Sequence, residues 1–323
     1  MTIRVLSLTN ASRSFYRQQL RAVERYDVEH TTVEVPDGNG PVGSRSPLDY
    51  VRFWRPVREA LSDRFDLVHA NFGLTAPFAL SQRGLPVVLT LWGTDLYGPF
   101  GPVSKFCARY CDEVIVMAEP MAAELDRDCH VIPHGVDLDR FQPEAQPLAR
   151  RTVDWDDDAA HVLFPYSVDR DEKDFDRAKR VVASVDDRVD GPVELNVVTG
   201  VPHDQFLNYL NAADCLLLTS KREGSPNVVK ESLACNLPVV ATDVGDVRAR
   251  LEGVDPSGVG RTDAELVDEL EAVLERGDRS NGRETVRELS IENTGRRIVD
   301  VYERVLGDGG HRPTPTADYR SVS

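Results

Sequence analysis

The stretch Glu223-Gly-Ser-Pro-Asn-Val-Val-Lys-Glu231 follows the short apolar run Ala213-Asp-Cys-Leu-Leu-Leu-Thr219. The apolar run predicts a buried strand, and Pro226 suits the first turn of a helix, where its missing N–H costs nothing. We expect that helix to continue to about Ala234. Its free N–H groups and the positive end of its dipole would point beyond the carboxyl edge of the strand, which is the usual anion site of an open α/β sheet. A diphosphate fits such a site.

Two carboxylates flank this predicted anion site. Glu223 precedes the turn and Glu231 lies one turn into the helix, so both can border one cleft at different depths. Carboxylates accept hydrogen bonds from neutral hydroxyls, and a nucleoside diphosphate sugar carries hydroxyls on both sides of its phosphates. The same spacing also suits an acidic residue that favours the helix dipole together with an exposed Glu on the outer face. The pair alone leaves both interpretations open.

The longer string from Glu223 to Gly245 resembles the signature of the retaining glycosyltransferases of family 4. The resemblance implies an α/β fold of the GT-B type, in which two Rossmann-like, doubly wound parallel-sheet domains face a central cleft. It also implies a nucleoside diphosphate sugar donor, UDP or GDP based, with no metal and no cofactor. Glu223 would contact the donor sugar and Glu231 the ribose hydroxyls. The residues that would line the sugar and diphosphate are Gly224, Ser225, Pro226, Asn227 and Val228.

Two further segments agree with this resemblance. The run Val131-Ile-Pro-His-Gly-Val-Asp-Leu-Asp-Arg-Phe141 is similar to a segment that family members carry between the domains. The run Phe164-Pro-Tyr-Ser-Val-Asp-Arg-Asp-Glu-Lys-Asp174 resembles the loop in which an Arg and a Lys hold the diphosphate. The resemblance assigns these roles to Arg170 and Lys173, whose spacing is tighter than is usual in the family.

The N-terminal half departs from the family pattern in two places. The glycine-rich loop expected after the first strand is replaced by Thr9-Asn-Ala-Ser-Arg-Ser-Phe-Tyr16. The segment Val87-Val-Leu-Thr-Leu-Trp-Gly-Thr-Asp95 resembles a His-Gly-x-Asp motif, with Trp92 in the place of the His. Trp92 is expected either to stack on a sugar ring or to pack in the core. Asp95, assigned to the catalytic set, is expected to orient the adjacent backbone or to contact a substrate.

Composition sets the outer limits on function. A chain of 323 residues predicts about two domains. The formal charge of -16 excludes a nucleic-acid partner and suggests a halophilic protein that works in high salt, where screening removes the self-repulsion of an acidic surface. The five cysteines are odd in number and scattered, which predicts reduced, packed thiols in a cytoplasmic protein and no zinc site.

Strand-like and helical runs alternate along the chain, which is the βαβ pattern of parallel sheets covered on both faces. The strand-like runs are Ile3–Leu8, Asp66–Ala70, Pro86–Leu91, Glu113–Met117, His161–Pro165, Val193–Thr199, Asp214–Thr219 and Pro238–Ala241. Two prolines among polar residues, in Gln142-Pro-Glu-Ala-Gln-Pro147, predict a linker between the halves. We therefore expect an acceptor-side domain over residues 1–145 and a nucleotide-sugar domain over residues 146–290. A helix over residues 291–306 would cross back to the first domain, and residues 307–323 would form a flexible tail.

No signal peptide or bilayer-spanning apolar run is recognisable, so a cytoplasmic location is expected, with contact at the inner face of the membrane left open. Family members that act on lipid-linked acceptors dock on membranes. The runs Phe15-Tyr-Arg17 and Phe53-Trp-Arg55 would suit such a patch, although packing of helix faces explains them as well.

The sequence thus predicts a retaining, metal-independent hexosyltransferase of polysaccharide biosynthesis. Its partners would be a nucleotide-sugar donor and a glycan or lipid-linked acceptor. Two alternatives stay open: an epimerase of nucleotide sugars on the same fold, and a non-catalytic sugar-nucleotide-binding subunit of a larger assembly.

Overall fold

The computed structural model describes residues 2–12, 14–36 and 45–307. The chain forms two compact units. Unit 1 contains the described residues up to Ile132 and those from Gly295 onward, and unit 2 is Pro133–Thr294. Residues 133–145, which the sequence analysis placed in the first domain, therefore lie in unit 2. The predicted flexible tail lies outside the described residues, apart from Gly307.

Unit 1 is built on a parallel sheet. Its strands are β1 Ile3–Thr9, β2 Val28–Glu34, β3 Leu67–Ala70, β4 Val87–Leu91, β5 Glu113–Val116 and β6 His130–Val131. Its helices up to Ile132 are α1 Ser14–Glu24, α2 Pro47–Ala60, α3 Ala76–Ala79, α4 Thr94–Tyr97, α5 Gly101–Ala108 and α6 Glu119–Ala122. The strand order in the described part is β2-β1-β3-β4-β5-β6. Every residue of β3 and β4 is buried, as expected for central strands covered on both faces.

Unit 2 contains a second parallel sheet. Its strands are β7 Ala160–Phe164, β8 Val193–Val197, β9 Cys215–Leu218, β10 Val239–Thr242 and β11 Gly258–Gly260, in the order β11-β10-β9-β7-β8. Its helices are α7 Gln146–Val153, α8 Phe175–Asp186, α9 His203–Ala212, α10 Asn227–Ala234, α11 Val247–Leu251, α12 Asp263–Arg276 and α13 Gly282–Thr285. The apolar residues of β7, β9 and β10 divide between two hydrophobic clusters, so helices cover both faces of the sheet. The prediction of two doubly wound, parallel-sheet α/β domains is confirmed.

The last helix, α14 Ile291–Gly307, belongs to both units. Its first turn pairs with the segment after Ile132, since the Ile291 N–H donates to the Val136 carbonyl at 2.9 Å. From Gly295 onward the helix packs in unit 1, where a Cβ on Gly295 would lie 2.8 Å from the Ala22 backbone. The side chain of Tyr302 is buried in the core of unit 1.

The predicted linker at Gln142–Pro147 is instead part of unit 2. The Glu144 N–H donates to the Asn211 side chain at 2.9 Å, and the Gln146 amide donates to the Asp214 carboxylate at 2.8 Å. The polar residues of this segment make specific hydrogen bonds within unit 2. The prediction of a linker, which rested on their polarity, was therefore wrong. The chain passes between units after Ile132 and again after Thr294.

The predicted membrane patch is wrong in part. Phe53 and Tyr16 are buried in unit 1, because each faces the sheet from its own helix. The Tyr16 hydroxyl donates to Ser7 at 2.9 Å. Trp54 is 43% exposed, and the side chain of Phe15 lies outside the described residues. Among the described helices, none has both the length and the apolar character needed to cross a bilayer.

Candidate functional site

The central motif forms a loop followed by a helix, as predicted. Strand β9 ends at Leu218, and α10 begins at Asn227, directly after Pro226. No side chain accepts a hydrogen bond at the N-cap of α10, so the first N–H groups of this helix remain available to an anion. The turn at Gly245 is hydrogen-bonded to this loop, since the Asp246 N–H donates to the Gly224 carbonyl at 3.0 Å.

Gly245 is the residue that permits this close approach. Its φ of +58° lies in the left-handed region, and a Cβ at this position would stand 2.2 Å from the Gly224 carbonyl oxygen. The close backbone contact with Gly245 therefore fixes the position of the loop that contains Glu223, and with it the position from which the Glu223 side chain extends.

Glu223 and Lys173 come together at one end of this loop. The Lys173 ammonium is ion-paired with Oε1 of Glu223, which also accepts a hydrogen bond from the Ser220 hydroxyl at 2.7 Å. Both contacts go to Oε1, and among the described residues Oε2 accepts no hydrogen bond. The arrangement leaves one carboxylate oxygen for a ligand hydroxyl.

The Lys173 ammonium also lies 3.8 Å from the centre of the Tyr166 ring, a cation–π contact. Burial lowers the pKa of Lys173, and the Glu223 carboxylate opposes this shift. Burial and the neighbouring Glu223 raise the pKa of Tyr166 well above its ordinary value. The Thr219 hydroxyl donates to the Lys173 carbonyl at 2.9 Å, which ties this basic loop to the end of β9.

Arg170 lies at the rim of the same cluster. Its side chain is half exposed and donates to Glu172 at 2.7 Å, and its guanidinium carbon is 5.7 Å from the centre of the Tyr166 ring. The structure thus brings both predicted basic residues to one aromatic ring. Lys173 is buried there, whereas Arg170 remains accessible.

Glu231 borders a groove on the other side of α10. Its Oε1 lies 3.0 Å from Nε2 of His203, at the start of α9, and the ring of His203 contacts Phe141 edge-on. The groove has a volume of about 240 Å³, which suits one end of a ligand. Its lining residues are Pro165, Val198, Thr199, Gly200, Val201, His203, Phe206, Val228 and Glu231.

The predicted residue Asp95 lies in unit 1 and faces inward. Its carboxylate accepts hydrogen bonds from the backbone N–H groups of Gly73 at 2.9 Å, Trp92 at 2.8 Å and Gly93 at 3.0 Å. Burial raises its pKa, and these N–H groups oppose the shift. The contacts correspond to the first of the two roles expected for Asp95, orientation of the adjacent backbone. The indole N–H of Trp92 donates to the Asn71 carbonyl at 2.7 Å.

The sequence analysis did not single out Tyr166, Ser220, His203 or Lys230 as site residues. Tyr166 lies in the quoted loop, but an aromatic residue after a strand carries no specific signal, and His203 is brought to Glu231 only by the fold. Within residues 2–12, 14–36 and 45–307, no three His, Cys, Asp or Glu side chains are grouped so that they would hold a metal ion. The five cysteines are free thiols.

Both halves of the chain match family models. The model of Glycosyltransferase Family 4 matches residues 4–140, and that of Glycosyl transferases group 1 matches residues 176–276. Among curated proteins, the chain is similar to the putative teichuronic acid biosynthesis glycosyltransferase TuaC of Bacillus subtilis, at 30% identity over 211 residues. This match covers 56% of the chain and 54% of the relative, so the chain spans about half the length of that relative.

Solved structures share the fold. Sucrose-phosphate synthase from Thermosynechococcus elongatus gives a TM-score of 0.78 at 17% identity, over 95% of this chain and 100% of that chain. The Anabaena protein Alr3699/HepE in complex with UDP and glucose gives a TM-score of 0.69 at 15% identity, over 94% of this chain and 100% of that chain.

Proposed function

Because the chain belongs to the glycosyltransferases of family 4 and group 1 and has the GT-B fold, we propose that it transfers a hexosyl group from a UDP- or GDP-sugar to a hydroxyl acceptor. One observation carries the proposal. The N-terminus of α10 opens between the paired carboxylate of Glu223 on one side and the groove beside Glu231 on the other. The diphosphate would occupy the helix N-terminus, the sugar would lie near Glu223, and the nucleoside would enter the groove.

The chemistry of these groups fits the parts of such a donor. The free Oε2 of Glu223 accepts from a sugar hydroxyl, and the Glu231 carboxylate accepts from the ribose hydroxyls. The buried ammonium of Lys173, the guanidinium of Arg170 and the α10 N–H groups stabilise the negative charge that develops on the departing diphosphate. Preorganised donors of this kind lower the barrier because they need no rearrangement during the reaction.

We assign retention at the anomeric carbon and independence of metal ions to this reaction. Retention rests on the resemblance of the donor motif to the retaining glycosyltransferases of family 4. Glu223 is engaged by Lys173 and Ser220, which suits a carboxylate that binds hydroxyls rather than one that attacks carbon. Lys173, Arg170 and the helix N-terminus supply the positive charge that a metal gives to other transferases. NMR coupling of the product's anomeric proton tests retention, and turnover in EDTA tests metal independence. Inverted product or loss of turnover in EDTA contradicts the assignment.

The first test is donor binding. Thermal shifts in high salt against UDP-, GDP- and ADP-sugars, with the free nucleotides as controls, should show stabilisation by one UDP or GDP series, because a ligand that binds only the folded state raises Tm. The variant Glu231→Ala should show a smaller shift at the same ligand concentration. Stabilisation of wild type by none of these ligands contradicts the proposal. Binding without turnover on any acceptor favours the non-catalytic subunit, and an epimerised free sugar nucleotide favours the epimerase.

We further propose that the acceptor is lipid-linked and that unit 1 lies on a membrane when it receives it. Helix α2 exposes Leu48, Val51 and Trp54 on one face, and the region of α5 exposes Phe100 and Phe106. Helix α3 contacts both helices, since Trp54 lies 5.8 Å from Phe78 of α3 between ring centres and α3 packs on α5. Exposed apolar side chains on these helices suit contact with the interface of a bilayer.

Co-sedimentation with vesicles tests this contact. Wild type should bind phospholipid vesicles, and the double variant Val51→Asp with Phe106→Asp should lose binding. The matched control is Leu148→Asp, an equally exposed apolar residue on α7 of unit 2. Equal binding by wild type and the double variant contradicts the membrane contact without affecting the donor proposal.

A further inference from the structure

Lys230 is a buried cation in the middle of the donor motif. It lies on α10, one residue before Glu231, and only 1% of its surface is exposed. Burial lowers the pKa of its ammonium to about 8, which Asp246 and Glu231 partly oppose. Burial of an ammonium group costs free energy unless its protons form hydrogen bonds. The hydrogen-bond partners of Lys230 therefore indicate its role.

The ammonium of Lys230 has two partners. It donates to the His134 carbonyl at 2.8 Å and to the Ser225 hydroxyl oxygen at 3.3 Å. Among the described residues it forms no ion pair: the carboxylate of Asp246 is bonded to Arg250 at 2.8 Å. The charge of Lys230 is therefore directed at one backbone carbonyl and at one hydroxyl of the donor loop.

The contact with Ser225 has a chemical consequence. A serine hydroxyl has one proton to donate and two lone pairs. Because the ammonium occupies a lone pair, the hydroxyl proton is free for another acceptor, and the adjacent charge makes the hydroxyl a stronger donor. Ser225 stands just before the α10 N-terminus, where the proposed function places the diphosphate.

We propose that Lys230 is a positioning residue that orients the Ser225 hydroxyl as a hydrogen-bond donor to the diphosphate of the donor nucleotide. The proposal rests on the proposed function. Lys230 acts through Ser225, because its own ammonium is shielded from solvent. A purely structural role, in which Lys230 only ties α10 to the segment with His134, would leave nucleotide affinity unchanged once the protein is folded.

Calorimetric titration with UDP, or with GDP if that series binds, separates these roles. Lys230→Met and Ser225→Ala should each weaken binding by roughly 10-fold, the size expected for one charge-assisted hydrogen bond. The double variant should be little weaker than either single variant, because both remove the same contact. The control is Arg279→Met, which removes another cation bonded to carbonyls, at the opposite end of α10 through Cys235. It should lower Tm without changing affinity.

The pH dependence of binding gives a second readout that does not require Lys230→Met to fold. As pH rises through about 8, Lys230 loses its proton and nucleotide affinity should fall. Ser225→Ala should show a smaller fall. The charged groups that face Lys230 are Glu231 on its own helix and Asp246 and Arg250 on or beside α11. The ring of His134, whose carbonyl accepts from Lys230, is neutral because burial lowers its pKa to about 3. Lys173, whose pKa is also lowered by burial, is present in both proteins, so the difference between them reports Lys230.

Three outcomes would overturn the positioning role of Lys230. Nucleotide affinity of Lys230→Met equal to that of wild type overturns the positioning role, as do single-variant effects that multiply in the double variant. A fall with pH that is identical in wild type and Ser225→Ala also overturns it. Absence of binding by wild type itself refutes the proposed function instead, so the two failures are distinguishable.

Discussion

The Lys173 ammonium and the Glu223 carboxylate form an ion pair that is largely shielded from water, with side chains 5% and 13% exposed. The pair joins the loop after β7 to the loop before α10. Because removal of one partner from a buried pair leaves an uncompensated charge, the two loops depend on each other for their positions. The pair also orients Glu223 so that one oxygen is bonded and the other is free.

Glu223→Gln should separate nucleotide binding from sugar transfer. The amide keeps the size of the side chain, and its oxygen can still accept from Lys173 and Ser220, so the loops stay in place. At the position of the free Oε2 the amide carries an NH2 group, which cannot accept from a sugar hydroxyl, so kcat/KM for the sugar donor should fall about 100-fold while affinity for the free nucleotide changes by less than about 3-fold. Calorimetry and a transfer assay measure the two quantities. Glu271→Gln, which changes a carboxylate paired with Arg188 outside the site, is the control and should alter neither quantity. Equal losses in nucleotide affinity and turnover would show that Glu223 only supports the loop.

Gly245→Ala should displace the donor loop. Its new Cβ would meet the Gly224 carbonyl at 2.2 Å, and its φ of +58° is strained for alanine. The matched control is Gly253→Ala, whose φ of +74° carries similar strain but whose Cβ would meet nothing within 4 Å. Both variants should lose about 1 kcal/mol or more of stability, and only Gly245→Ala should also lose nucleotide affinity. Unfolding and calorimetry on both variants check this, and equal affinities would contradict it.

Glu231→Ala should weaken nucleotide binding through the ribose. Wild type should bind UDP, or GDP if that series binds, roughly 10-fold more tightly than the corresponding 2′,3′-dideoxy nucleotide, because the latter leaves the carboxylate without hydroxyl partners. In Glu231→Ala the two ligands should bind alike. Asp204→Ala, an exposed acid beside His203, is the control. A variant that still discriminates against the dideoxy ligand would exclude Glu231 from the ribose contact.

Eight of the strands were predictable from the sequence. Seven of them are largely buried and read as apolar runs, whereas β8 lies at a sheet edge with no buried residue and was recognisable from its alternation of apolar and polar residues. Strand β2 was missed because it lies at the edge of its sheet and mixes polar with apolar residues. Strands β6 and β11 were missed because they have two and three residues, too few for any pattern. Parallel pairing, not local preference, defines these three strands.

The motif predicted the loop and helix around Glu223 and Glu231 because their geometry follows from local sequence. The partners of these residues were not predictable in the same way. Tyr166 and His203 are far from the motif in sequence, and only the alignment of strand ends at one sheet edge brings them to it. A lysine next to Glu231 gives no signal of burial, since lysine is ordinarily exposed, so the role of Lys230 became visible only in the structure.

The acidic surface predicts that salt stabilises the protein. With a charge of -16, like charges repel in the folded state, and added KCl screens that repulsion more effectively there than in the expanded unfolded chain. We therefore expect Tm to rise with KCl concentration. Differential scanning calorimetry from low salt to molar KCl measures it, with sucrose at matched osmolality as the control. A melting temperature that falls with KCl would refute the halophilic interpretation.

Buried neutral histidines predict that unit 1 loses stability in mild acid. The ring of His69 is hydrogen-bonded to Tyr302 at 2.6 Å and to Thr90 at 2.7 Å, and burial lowers its pKa to about 3. Burial also lowers the pKa of His30 to about 4. Below about pH 6.5 the unfolded chain binds protons at these rings and the folded chain does not. The free energy of unfolding therefore falls as pH decreases, by up to about 1.4 kcal/mol per pH unit for each ring.

The loss should begin near pH 6.5 and continue towards the folded pKa of each ring, so it starts above the range in which carboxylates titrate. Urea unfolding at pH 7 and pH 5 measures it, with Trp155 of unit 2 replaced by Phe so that Trp54 and Trp92 report on unit 1. His69→Gln should be less stable than wild type at pH 7, but its free energy of unfolding should decrease less on acidification. The reason is that the variant lacks one imidazole that binds a proton only in the unfolded chain. His134→Gln, which changes a buried histidine of unit 2, is the control and should keep the wild-type slope for unit 1. Equal slopes for wild type and His69→Gln would show that His69 does not drive the acid sensitivity.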